Sequence, residues 1–335
     1  MVVAETLESG NVLFRLHALN VTNGGERPGS PVVINTTNWQ AKEQLQRPGL
    51  LLANGNVYIA FGSQGDHRPF HGWIFSYSTT SLAQVGVWNA TMTGEEGAIW
   101  MSGSGLPPIL PAIFTSSRVM ELGPNLTVLD YFTPFNQAAL SAVDQDVGAG
   151  GVLLVPDQTG AVPHKIIGCG KAPSVFVLNR DNMGKFQSGS NSQIVQELKN
   201  QVGGTTGIHA PDRCFTTPAF WQQHVYLVGN NDVIKAFALK ATGKLSLTPT
   251  SKGTFQFVFP GAQPVVSSNG SVNGIVWAVD HSPSCALHAY DARNLGTELY
   301  RSSGLGAGAK WAVPTVVNSK VYVGTAGKLF VFGPI

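Results

Sequence analysis

The 335-residue sequence predicts an all-β fold. The class is a β-propeller of about seven (six to eight) four-stranded blades, one of them short or degenerate. Three observations carry that prediction. A two-part phrase recurs, short strand-like runs bounded by Gly, Pro, Asn or Ser fill the chain, and helical periodicity is nearly absent. The clearest copy of the phrase is Val313-Pro314-Thr315-Val316-Val317, then Lys320-Val321-Tyr322-Val323-Gly324, then Leu329-Phe330-Val331-Phe332. It recurs at Thr217-Pro218-Ala219-Phe220, His224-Val225-Tyr226-Leu227-Val228-Gly229 and Ile234-Lys235-Ala236-Phe237. A third copy is Arg47-Pro48-Gly49-Leu50-Leu51-Leu52, Asn56-Val57-Tyr58-Ile59-Ala60 and Trp73-Ile74-Phe75-Ser76-Tyr77. Three strands repeated about every 40 residues bury their faces only on neighbouring units, so residues 1–335 read as one domain despite the length.

The units follow in order as 1–46, 47–93, 97–135, 148–198, 213–252, 260–304 and 310–335. In the third, Leu106-Pro107-Pro108-Ile109-Leu110-Pro111 excludes an internal strand, because Pro lacks the N–H that a ladder needs. That blade is expected to be incomplete. In the fourth, residues 191–199 are the best helical stretch of the chain and fit an outer strand equally well. Phe255, Phe257 and Phe259 alternate at period two, as on the buried face of a strand. The last unit has three strands, and residues 2–7 or 12–19 are expected to supply its fourth and close the ring.

Composition excludes several classes. Gly (39) and Pro (20) are abundant, and charged residues make up 12% against about 25% in average soluble domains. A net charge of +2 argues against a nucleic-acid partner. No apolar run reaches about 18 residues, so membrane insertion through a helix is not expected. Met1-Val2-Val3-Ala4-Glu5 shows no signal peptide. Cys169, Cys214 and Cys285 are too few for a disulfide framework. Their strand-like surroundings read as small buried hydrophobes. One disulfide plus one free thiol is the competing arrangement, and the pairing stays open. Sequons at Asn20, Asn35, Asn89, Asn125 and Asn269 fall in loops or at strand ends and are glycosylation candidates if the chain is secreted.

The strand that ends His288-Ala289-Tyr290-Asp291-Ala292, matched by His17-Ala18-Leu19-Asn20-Val21-Thr22, resembles the PQQ-like (quinoprotein-type) β-propeller repeats. These occur in quinoprotein alcohol dehydrogenases and in many non-enzymatic propellers. Longer stretches are similar to uncharacterised secreted propeller proteins of that fold. They are Gln46-Arg47-Pro48-Gly49-Leu50, Phe70-His71-Gly72-Trp73, Phe132-Thr133-Pro134-Phe135-Asn136, 144–151 and Asn179-Arg180-Asp181-Asn182-Met183-Gly184. The resemblance runs from about residue 11 to the end and implies the fold. It carries little about activity. Only Trp88 stands where the dehydrogenases carry a docking Trp on the outer strand, with Leu247 and Tyr300 at the equivalent positions. The adjacent cysteines that flank the quinone in those enzymes are missing, and neither their Trp floor nor their calcium ligand set maps onto the chain.

In a propeller, residues just before each innermost strand surround one mouth of the channel. Those positions are Arg47, Trp100, Asp146, Arg213, Gln263, Lys310 and Trp311. Flat ligands stack on Trp and anionic groups pair with Arg, so the set reads as a ligand-binding mouth. Pairing of Arg47 with Asp146 across blades is the structural alternative. Asp144 and Asp146, followed by Gly148, resemble the start of a calcium loop but lack its later ligands. His67 and His71 are four apart, with Pro69 between them and no third ligand at local spacing, so no zinc or copper site is expected. No catalytic set converges. The leading expectation is a non-catalytic secreted or cell-surface module with a protein or glycan partner, with self-assembly as an option and no cofactor. The alternatives are a PQQ- and calcium-dependent oxidoreductase and a carbohydrate-binding propeller.

Overall fold

The computed structural model describes residues 1–92, 94, 96–101, 104–106, 112–172, 174–206 and 213–333, the side chains of residues 112 and 114 excepted. Seven small sheets form a seven-bladed β-propeller. The Pro-rich stretch 107–111 on which the expected gap in the third blade rests lies outside the described residues.

The first blade holds Val2–Glu8, Asn11–His17 and Val32–Val33. In the second, Gln44–Leu45 and Leu51–Ala53 both pair with Asn56–Ser63, followed by Trp73–Ser78 and Gln84–Asn89. The third has Ala112–Phe114, Val119–Leu122 and Val128–Thr133. Its outer position is taken, in parallel, by Lys185–Phe186 from the fourth unit of the sequence. The fourth, fifth and sixth blades have four antiparallel strands each, beginning at Val152–Val155, Ala219–Trp221 and Val265–Asn269. The seventh has three: Thr315–Val317, Lys320–Thr325 and Lys328–Phe332.

Most of the core lies between blades. Along His224–Val228, side chains alternate between two neighbours. Val225 and Leu227 pack on the fourth blade, while Tyr226 and Val228 pack on the sixth. The phrase's Val-Tyr pair is therefore one residue for each neighbour. The tyrosine does more than fill space. Tyr226 Oη donates to the Ala292 carbonyl of the sixth blade at 2.7 Å, and Tyr58 Oη donates to the Pro124 carbonyl of the third at 3.2 Å. Both rings are buried, and each hydroxyl satisfies a turn carbonyl in the following blade. Trp39 holds the first blade to the second, with Phe14, Phe61, Phe75 and Trp73 around it at 4.9–6.2 Å. Trp88 packs against the core shared by the second to fourth blades, and Tyr300 meets Phe332 of the seventh at 6.3 Å.

Three expectations are corrected, and one open choice is settled. Residues 2–7 and 12–19 do not complete the seventh blade. Val2–Glu8 and Asn11–His17 pair with each other over seven residue pairs, because the tight turn at Ser9-Gly10 makes the local hairpin the nearest partner for both. Cys169 and Cys214 are joined as a disulfide across 45 residues, and only Cys285 is a free buried thiol. Of the two readings of residues 191–199 the outer strand is the one found, at Gln196–Lys199 of the fourth blade, and among the described residues an α-helix lies at Gln137–Ala142. Phe259 lies beyond the strand Ser251–Phe257, which stops before Pro260, and does not share its buried face.

Replacing Tyr226 with Phe is expected to lower unfolding free energy by about 1–2 kcal/mol, since the buried Ala292 carbonyl loses its donor. Tyr322→Phe is expected to leave the dilute protein unchanged. Urea denaturation of the two variants checks both, and equal losses would contradict the blade-tie reading.

Candidate functional site

Four of the predicted mouth residues come together. The Arg47 guanidinium lies over Trp100 at 4.8 Å and over Trp311 at 5.5 Å. Lys310 Nζ lies 5.1 Å from the Trp311 ring and 4.6 Å from Phe259. Phe215 and Phe259 back Trp311 at 6.1 and 6.2 Å and touch each other at 5.3 Å. The result is a cationic and aromatic mouth assembled from segments preceding the second, third, fifth, sixth and seventh blades.

Local chemistry explains the placement. Gly62 gives Trp100 room: a Cβ there would sit 3.0 Å from the indole and 2.9 Å from the Ile99 carbonyl. The Cys169–Cys214 disulfide, flanked by Arg213 and Phe215, anchors the segment that carries Phe215 under Trp311. Trp311 itself has φ of 71°, a left-handed conformation that a bulky residue holds at a cost of about 1 kcal/mol or more. The ring contacts around it supply the compensation.

Among the described residues, no carboxylate reaches ion-pair distance of Arg47, Arg213 or Lys310. Burial pulls the Arg47 guanidinium below its ordinary range, with Asp66 acting the other way. Burial, then the charge of Arg47, pulls Lys310 down as well. A half-buried Arg47 and an exposed Lys310, with no carboxylate at ion-pair distance among the described residues, favour an arriving anion. Arg213 makes no ring or ion-pair contact with this cluster among the described residues, and its Nε is buried without a partner. Gln263 is occupied elsewhere, its Oε1 accepting from the Thr217 N–H at 2.7 Å.

Asp146 lies on the other side of Trp100 and does not pair with Arg47. Lys171 Nζ sits 2.5 Å from Asp144 and 2.6 Å from Asp146, so the cation held by these carboxylates is an ammonium. Burial pushes the Asp146 carboxyl up to about 6 against the pull of Lys171. Burial works against the Lys171 charge, but Asp146 and Asp144 outweigh it and hold the ammonium above its ordinary range. A polar cleft of about 410 Å³ opens here, lined by Trp100, Phe70, Asp66, Glu96, Asp144 and Asp146 among others. Arg68 pairs with Glu96 at its rim, and among the described residues Trp100 Nε1–H is buried without an acceptor. His71 bonds Thr91 at 3.0 Å, and among the described residues no three His, Cys, Asp or Glu gather as a metal set.

The set does not fit a quinone with its calcium. The space between the faces of Trp100 and Trp311 is filled by Arg47, and the Asp pair is held by Lys171. Sequence reasoning missed Lys171, Phe215 and Phe259, none of which belongs to the repeated phrase. Pro260 after Phe259 was the one available signal, since it ends a strand.

No family model matches the chain, and no curated protein matches it in sequence. Solved structures do. BamB from Moraxella catarrhalis superposes with a TM-score of 0.59 at 12% identity, over 98% of this chain and 77% of its own. A quinohemoprotein alcohol dehydrogenase from Pseudomonas putida HK5 gives 0.59 at 10% identity, over 95% of this chain but only 61% of the enzyme. Sqt1 from Saccharomyces cerevisiae gives 0.52 at 13% identity, over 99% of this chain and 81% of its own. The likeness shows the PQQ-like propeller fold.

An acid whose pKa is higher folded than unfolded holds its proton more tightly in the fold. The Asp146 contribution to stability therefore falls as pH rises from about 4 to about 6. Lys171→Met is expected to raise the Asp146 pKa further, as read by carboxyl NMR titration. An unchanged or lower value would contradict the placement of the ammonium.

Proposed function

We propose that the protein is a non-catalytic propeller, secreted or at the cell surface, that binds protein partners through the channel mouth. The partner presents an anionic group to Arg47 and Lys310 and an apolar or aromatic group to Trp311. The observation that supports this is that two cations are held against three aromatic rings with no carboxylate at ion-pair distance among the described residues. The disulfide favours an oxidising compartment. Asn20, Asn35, Asn125 and Asn269 are exposed and open to glycosylation, whereas Asn89 is half-buried in an outer strand with its side chain bonded to Thr91. No helix among the described residues is long and apolar enough to cross a membrane.

The polar cleft beyond Trp100 favours a second reading, carbohydrate binding. Carboxylates accept from sugar hydroxyls, and Trp100 and Phe70 offer apolar walls. A glycan array separates the two readings, with Trp100→Ala as the variant that should abolish a hit.

The protein-binding reading is tested with acetylated hexaglutamate and hexalysine peptides. The acidic peptide is expected to bind with an affinity that falls as salt rises. Arg47→Ala is expected to weaken it about tenfold, an effect of about 1.4 kcal/mol. Equal binding of both peptides, or no effect of Arg47→Ala, would overturn the proposal.

A further inference from the structure

The end of the propeller opposite the mouth carries a charge of its own. Residues 213–335 hold ten Lys and Arg against four Asp and Glu, so the small net charge of the chain hides a basic stretch. The mouth residues precede the inner strands, and the turns that follow those strands lie at the other end. In the fifth blade the pairs Trp221 with His224 and His224 with Ala238 place turns 222–223 and 239–250 there. In the sixth, the pairs Asn269 with Val272 and Asp291 with Asn294 place turns 270–271 and 292–293 there.

Lys240 and Lys244 stand in the long turn, Lys252 is the second residue of Ser251–Phe257, and Arg293 is in the outer turn of the sixth blade. All four are exposed, and among the described residues none has a carboxylate at ion-pair distance. They are continuous. The Lys240 N–H donates to the Lys244 carbonyl at 2.9 Å. The Leu295 N–H donates to Ser251 Oγ at 3.1 Å, which brings Lys252 beside the turn of Arg293. Beneath Gly243, Lys165 of the fourth blade is 2% exposed. Its ammonium donates to the Val162 carbonyl, with no carboxylate at ion-pair distance among the described residues. Neighbouring carboxylates are engaged: Asp291 accepts from the Arg293 N–H at 2.8 Å, while Asp157 and Asp181 of the fourth blade are held by Arg180 and His164.

We propose that this end of the fifth and sixth blades is a second binding surface, and that it takes a sulfated polysaccharide. The sulfates pair with Lys240, Lys244, Lys252 and Arg293, and the sugar hydroxyls meet the exposed Thr242, Thr248 and Ser271 between them. Other polyanions fit less well. A lipid surface rewards an apolar belt, and among the described residues of these turns and strand ends Leu247 and Val272 are the only large apolar side chains exposed. A nucleic acid stacks on aromatic side chains, and turns 239–250, 270–271 and 292–293 have none. The mouth lies at the opposite end, so this surface does not depend on what the mouth binds.

Fluorescence anisotropy of the full chain with labelled dextran sulfate tests this. Binding is expected, with an affinity that falls as salt rises. At equal charge concentration, unlabelled dextran sulfate should displace the probe, while oligothymidylate, phosphatidylserine vesicles and uncharged dextran should not. Lys252→Gln combined with Arg293→Gln should weaken binding about tenfold. Lys42→Gln combined with Lys328→Gln, which removes the same charge at the mouth end, should leave it within about twofold. All four side chains are exposed, so both double variants keep the wild-type melting temperature. No binding by the wild type, equal losses in the two double variants, or displacement by oligothymidylate or vesicles as readily as by dextran sulfate would overturn the proposal.

Discussion

The hydrogen bond from a buried tyrosine to a turn carbonyl of the next blade stands for the constraint on which this structure depends. A three- or four-stranded sheet this small has too little core of its own to be stable. It persists because each face is buried by a neighbour. Tyr226 serves both needs at once, filling the interface with the sixth blade and satisfying a carbonyl that would otherwise be buried without a donor. Such ties relate the ends of strands to turns 66 residues away, which fixes the rotation of one blade on the next.

The mouth inherits its geometry from that rigidity. Arg47 and Trp311 are far apart in sequence, yet their contact at 5.5 Å requires the second and seventh blades to be held in fixed relation. Phe215 follows Cys214, which its disulfide to Cys169 ties to the fourth blade. Trp100 then divides two environments. On one side are cations that make ring contacts but no ion pair among the described residues; on the other is a cleft of carboxylates partly neutralised by Lys171 and Arg68. An anion and a polyhydroxylated group thus have separate places within one mouth.

The repeated phrase was readable because burial on both faces demands apolar residues at every position of a short strand, as in Val225 to Val228. Its pairing was not. Apolar pattern says which residues are buried but not which sheet edge a strand joins. That is why Val2–Glu8 turned out to form a local hairpin, and why Lys185–Phe186, two residues in parallel pairing, left no trace in the sequence. The mouth was half legible for a similar reason. Arg47, Trp100, Lys310 and Trp311 sit at fixed offsets from the inner strands and follow from the repeat. Lys171 reaches Asp144 and Asp146 from a turn with no motif, and Phe259 hides within an alternating aromatic run.

Hydrogen exchange tests the central claim most directly, because it reads blade stability strand by strand. The amides of Val225–Val228 and Val276–Val279, whose side chains are buried between two neighbours, should exchange slowest. Those of Lys320–Thr325, in a three-stranded blade whose Tyr322 hydroxyl makes no hydrogen bond among the described residues, should exchange much faster. Equal protection in the fifth and seventh blades would contradict the view that each blade is held by the two beside it.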